Sequence, residues 1–118
     1  MPRPPAPPAV AEPVRAWAHC RNALGIARLL VHEGRPADLV GTACRMALEA
    51  ASRAALERSG FPCDGDLERS LDRLSAPHDL LAGLEDAEPQ TRLAACERAI
   101  GFLSAYLRAE SPERSWAF

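Results

Sequence analysis

Apolar residues recur at three- and four-residue spacing in three long stretches of the chain, a period that predicts helices. From Val14 to Glu33, Trp17, Cys20, Leu24, Ala27 and Val31 form a stripe that Ala16, Ala23 and Leu30 widen. The stretch from Asp38 to Ser59 contains no proline, one glycine and a run of strong helix formers. From Thr91 to Ala109 the period returns in Leu93, Cys96, Ile100, Leu103 and Leu107, with Tyr106 alongside. Strand alternation, internal repeats and a glycine-rich phosphate loop are all missing from the sequence.

The Asp38–Ser59 stretch organises the rest. On a helical wheel, Leu39, Val40, Ala43, Met46, Ala47, Ala50, Ala51 and Ala54 share one broad face. Thr42, Arg45, Glu49, Ser52 and Arg53 fall opposite. An apolar arc this wide predicts contact with more than one neighbour, and its alanines let those neighbours come close. Met46 is expected in the packed face, so that Met46→Asp would be severe. Glu49 and Arg53 stand in the favourable i,i+4 order.

Punctuation divides the chain between these stretches. Pro13 suits the first position of a helix, Gly34 its end, and Arg35-Pro36 a turn. Asp38 is a candidate N-cap for the central helix, and so short a connection makes the first two helices antiparallel. Gly60-Phe61-Pro62 closes the central helix, and FPCDGD reads as turn chemistry. A third, shorter pattern carries Leu67, Leu71 and Leu74, then Leu80, Leu81 and Leu84, interrupted at Ser75-Ala76-Pro77. The expected fold is all-α, an up-and-down four-helix bundle with helices near Val14–Glu33, Asp38–Ser59, Asp66–Leu84 (broken) and Thr91–Ala109.

Residues 13–110 form the bundle in this reading, flanked by a proline-rich tail (1–12) and a C-terminal tail (111–118) carrying Trp116 and Phe118. At 118 residues the chain makes one domain with a core of useful size. A net charge of −2 supplies no basic field for nucleic acid or an acidic membrane. All fourteen cations are arginine. The four cysteines, Cys20, Cys44, Cys63 and Cys96, are far apart in sequence, with no histidine at ligand spacing. Neither zinc nor a disulfide framework is expected, and Cys20, Cys44 and Cys96 read as small hydrophobes in helices. The chain reads as a protein of the reducing cytoplasm, with no membrane association, metal or cofactor. Asp64 and Asp66 lack the acidic final position of a calcium loop, and Asp66 is more simply an N-cap.

The order ARLLVHEG, a turn, DLVGTACRMALEAASRAALERSGFP, DGDLERSLDRL and LAACERAIGFLSAYL resembles the HEPN family of helical-bundle proteins. The resemblance covers about Arg15 to Leu107. Its most specific part is Ala43 to Pro62, an alanine-rich helix closed by glycine, an aromatic residue and proline. It implies an up-and-down four-helix bundle, a homodimer, and one of two roles. Some members accompany minimal nucleotidyltransferases as substrate-binding or antitoxin-like partners. Others are metal-independent ribonucleases whose R-x4-6-H arginine and histidine act on RNA.

The one such motif here is Arg73-Leu-Ser-Ala-Pro-His78. Histidine could move a proton near neutral pH and arginine could steady a phosphorane. Leu74 is apolar where the family carries a polar residue, and Pro77 breaks the helix that would hold both groups. Arg15/His19 and Arg28/His32 have a shorter spacing and read as solvated faces. The favoured expectation is a non-catalytic, dimeric binding module. It would serve a nucleotidyltransferase partner or bind a nucleotide in a cleft lined by Arg45, Glu49 and Arg53. A ribonuclease using Arg73 and His78, acting on RNA, and a purely structural bundle are the alternatives.

Overall fold

A computed structural model describes residues 12–61 and 66–110. Four helices follow in order: α1 (Glu12–His32), α2 (Ala37–Arg58), α3 (Leu67–Arg73) and α4 (Pro89–Glu110). The described residues hold no strand. The fold is an all-helical bundle with a short third helix. Residues 1–11, Cys63, Asp64 and residues 111–118, with Trp116 and Phe118, lie outside the described residues.

Local chemistry sets the helix ends. Gly34 adopts the left-handed conformation (φ 69°) that glycine takes without a Cβ clash. There Gly34 N–H donates to Val31 (3.1 Å) and Arg35 N–H to Leu30 (2.9 Å), which ends α1. The cap of α2 is Pro36, not the expected Asp38. Proline's fixed φ places its carbonyl to accept from Leu39 and Val40 N–H, so Asp38 falls inside the first turn. A carboxylate there still complements the helix dipole. Gly60 (φ 80°) closes α2, with Phe61 N–H donating to Leu56 (2.9 Å). Asp66 caps α3 as its sequence position suggests, accepting from Arg69 N–H at 2.8 Å.

The third element breaks where the proline pattern places the break. Helix α3 ends at Arg73, Ser75 is left-handed (φ 56°), and Ala76 N–H returns to Leu71 (3.0 Å). Beyond Pro77 the chain runs through successive tight turns, with Leu80, Ala82 and Leu84 N–H each reaching back three residues. Side chains from α4 hold this segment. The Tyr106 hydroxyl donates to the Leu74 carbonyl. Arg98 donates to the carbonyls of Leu80 and Ala82 (2.7 Å to the latter), and Arg92 to those of Asp86 and Glu85. These bonds replace the ladder that a continuous helix would supply.

Helix α2 is the hub. It packs on α1 and α4 and, over a shorter length, on α3, whereas α1 and α4 touch little. An exposed Arg28–Glu97 pair (2.9 Å) spans α1 and α4. Arg92 lies against Gly41, and Cys96 against Cys44, so α2 and α4 run in the same direction, as an up-and-down order requires.

The buried arc of α2 contains Val40, Ala43, Cys44, Ala47, Leu48, Ala51, Ser52, Ala54, Ala55 and Leu56. It is rotated by about 100°, one residue step, from the arc expected on the wheel. Met46 (58% exposed) and Leu39 (49%) therefore face outward, against expectation. Ser52, expected on the polar face, is buried. The cause is packing on two sides. Leu48, Leu56 and Cys44 fill the space toward the other helices, which draws the arc away from Met46.

Candidate functional site

The polar stripe of α2 stays open. Residues 42, 45, 49 and 53 recur at three- and four-residue spacing, so Thr42, Arg45, Glu49 and Arg53 share one outward strip. Arg45 and Arg53 stand two turns apart, about 12 Å along the axis. Helix α3 lies beside this strip and turns it into a cleft of about 220 Å³. Arg45, Glu49, Ser52, Arg53 and Leu56 from α2 face Asp66, Leu67 and Ser70 across it. The three residues singled out from the sequence for binding thus line one cleft.

Charge in the cleft is paired but exposed to water. Arg45 Nη2 lies 3.2 Å from Glu68 Oε1, and its Nε 3.7 Å from Glu49 Oε1. All three side chains are well exposed, so the pairs stabilise little and can exchange for ligand contacts. Two buried hydroxyls form the floor. Ser52 Oγ donates to the Glu49 carbonyl (2.9 Å) and Ser70 Oγ to the Asp66 carbonyl (3.0 Å). Each spends its proton on its own helix, which leaves lone pairs to accept from a ligand.

Two further depressions adjoin the cleft. One, of about 270 Å³, lies between α1 and α2; Ala16, His19, Ala23, Met46 and Ala50 line it, and it shares Glu49 and Arg53 with the first. Another, of about 260 Å³, is bounded by Asp38, Gly41, Thr42, Leu84, Glu85 and Arg92, and shares Arg45. One furrow therefore follows the open strip of α2, apolar toward α1 and charged toward α3. Sequence reasoning missed Ser52, Ser70 and His19 here and took Asp66 only as a cap. The available signal was that Ser52 sits three residues beyond Glu49 on the strip carrying Arg45.

No protein-family model, curated protein or solved structure matches the chain. Its chemistry is read from its own residues. Arg73 occupies the last turn of α3, and His78 is exposed beyond Ser75 and Pro77. The helix that could present both on one face has ended before His78. Neither residue lines the furrow.

Cys20, Cys44 and Cys96 are fully buried free thiols in the core, packed as the small hydrophobes their sequence context suggests. Burial pushes the Cys20 thiol up to about 12, so it stays protonated and inert. Among the described residues no group of three or more His, Cys, Asp or Glu is arranged to hold a metal ion. No described helix is long and apolar enough to cross a membrane.

Proposed function

We propose that the protein is a non-catalytic binding module of HEPN type that takes a nucleotide along the α2 furrow and serves a minimal nucleotidyltransferase as its dimeric partner. The observation that carries the ligand reading is the convergence of Arg45, Glu49 and Arg53 with Ser52, Asp66 and Ser70 on one cleft. A phosphate suits the guanidinium of Arg53 or Arg45, whose planar fork binds it bidentately. Sugar hydroxyls can donate to Glu49 and to the serine oxygens. The flat face of a base suits the apolar groove of Met46 and Ala50, beside His19.

Calorimetric titration with ATP tests this reading. Saturable binding is expected, weakened roughly tenfold or more in Arg53→Ala, because a charge-assisted bond contributes about 1.5–3 kcal/mol. Arg28→Ala, which removes only the α1–α4 pair, should bind as wild type. Equal affinity in Arg53→Ala would refute the site. The ribonuclease alternative has less support, since Arg73 and His78 do not share a helix. Metal-free RNA cleavage that disappears in both Arg73→Ala and His78→Ala would reverse that order.

Exposed apolar residues support the dimer. Ile26, Leu29 and Leu39 stand about half exposed on α1 and α2, more than a lone bundle this small needs to leave in water. A two-fold pairing is the usual solution. Light scattering at micromolar concentration should give about twice the monomer mass; a value near 12.7 kDa would contradict the dimer. Deleting residues 111–118 then asks whether Trp116 and Phe118 contribute, and a dimer that survives places the contact on the helices.

A further inference from the structure

Cys44 and Cys96 are 52 residues apart in sequence, yet their side chains cross between α2 and α4. Each sulfur rests on the other helix's backbone. Cys96 Sγ lies 3.6 Å from the Cys44 carbonyl oxygen, and Cys44 Sγ lies 3.9 Å from the carbonyl of Arg92, one turn before Cys96. Small neighbours make this approach possible: Ala43 and Ala47 on α2, and Ala95 and Ala99 on α4, are all buried.

We propose that Cys44 and Cys96 form a redox pair that a hydroperoxide oxidises to an interhelical disulfide. Cys44 is the attacking sulfur and Cys96 the resolving one. The pair is asymmetric: the neighbouring Cys96 side chain lowers the Cys44 thiol, while Cys44 and burial raise that of Cys96. Burial and Glu97 oppose the ionisation of Cys44, while Arg92 favours it.

The chemistry balances with the hydroperoxide as sole oxidant. Cys44 sulfur attacks the terminal peroxide oxygen, the O–O bond breaks, and the departing alkoxide or hydroxide takes up the Cys44 proton. The product is a sulfenic acid on Cys44. Cys96 sulfur then attacks the sulfur of that group, the S–O bond breaks, and the leaving hydroxide takes the Cys96 proton as water. Two thiols and one hydroperoxide give one disulfide, one alcohol or water, and one water. Each sulfur already lies within 3.9 Å of the other helix's backbone, and the disulfide brings the two to the bond length of about 2.05 Å.

Both sulfurs are fully buried, so entry of the oxidant sets the rate. The cover is Arg92. Its guanidinium occupies the space where a Cβ on Gly41 would sit, one turn from Cys44, and is tied to the carbonyls of Glu85 and Asp86. The depression beside it is lined by Thr42 and Leu84 among others.

Hydrogen peroxide on the folded full chain tests the pair. After oxidation, free thiols are alkylated in denaturant and the digest is mapped by mass spectrometry. A peptide linking Cys44 to Cys96, short by two hydrogens, is expected, with Cys20 recovered alkylated. The closed loop should raise the melting midpoint by on the order of 10 °C, reversibly with reductant. Recovery of Cys44 and Cys96 both alkylated, or linked to Cys20 or Cys63 instead, would overturn the proposal. So would a Cys44 driven to sulfinic acid beside a free Cys96.

Discussion

Ala47→Asp is expected to abolish folding of the bundle, while Met46→Asp, one residue earlier, should leave it within about 0.5 kcal/mol of wild type. Ala47 has no exposed surface, and its neighbours on the buried arc of α2 are Ala43, Cys44, Leu48 and Ala51. None of these offers a charge to a carboxylate. An uncompensated buried charge costs on the order of 5 kcal/mol, and the extra volume between close helices adds strain. A domain of this size has about 5–15 kcal/mol in hand, so little or none remains. Met46 instead projects into the groove between α1 and α2 and is 58% exposed, where a carboxylate stays hydrated. Circular dichroism melts of the two variants decide the matter. The wheel alone puts Met46 in the packed face and makes Met46→Asp severe; a cooperative melt close to wild type would establish the rotated arc.

The second large effect is expected from Leu48→Ala. Leu48 is among the largest fully buried side chains and was not on the apolar face read from the sequence. Removing it should cost about 2–5 kcal/mol, from lost transfer energy and from the cavity left behind. That corresponds to a fall in melting midpoint of roughly 10 to 30 °C. Leu39→Ala, the same chemical change at a half-exposed site, should shift the midpoint little. Thermal melts of both variants in one buffer compare them, and a smaller loss at Leu48 than at Leu39 would contradict the packing described.

The contrast between Met46 and Leu48 shows what could be read in advance. Three long helices followed from period alone, and the stops at Gly34 and Gly60 from glycine's access to positive φ. The Asp66 cap and the break before Pro77 followed from side-chain chemistry within a few residues. The rotation of α2 did not. Alanines line both sides of the helix, so counting apolar positions gave them equal weight, while Cys44, Leu48 and Leu56 mark the true centre by size. Long-range contacts were also hidden. Nothing local tells that Tyr106 reaches Leu74, that Arg98 holds the turn at Ala82, or that Cys44 meets Cys96. For the cleft, the spacing of Arg45, Glu49 and Arg53 placed three groups on one strip. The opposite wall, Asp66 to Ser70, depends on where a seven-residue helix docks, and spacing along α2 carries no record of that.

Amide chemical-shift mapping of the isotopically labelled protein during ATP titration tests the binding reading most directly. The account predicts saturable shifts confined to residues 45–56 of α2 and 66–70 of α3, with smaller changes at His19 and Ala23 across the groove. Unmoved spectra at millimolar nucleotide, or shifts centred on Arg73 and His78 instead, would contradict it.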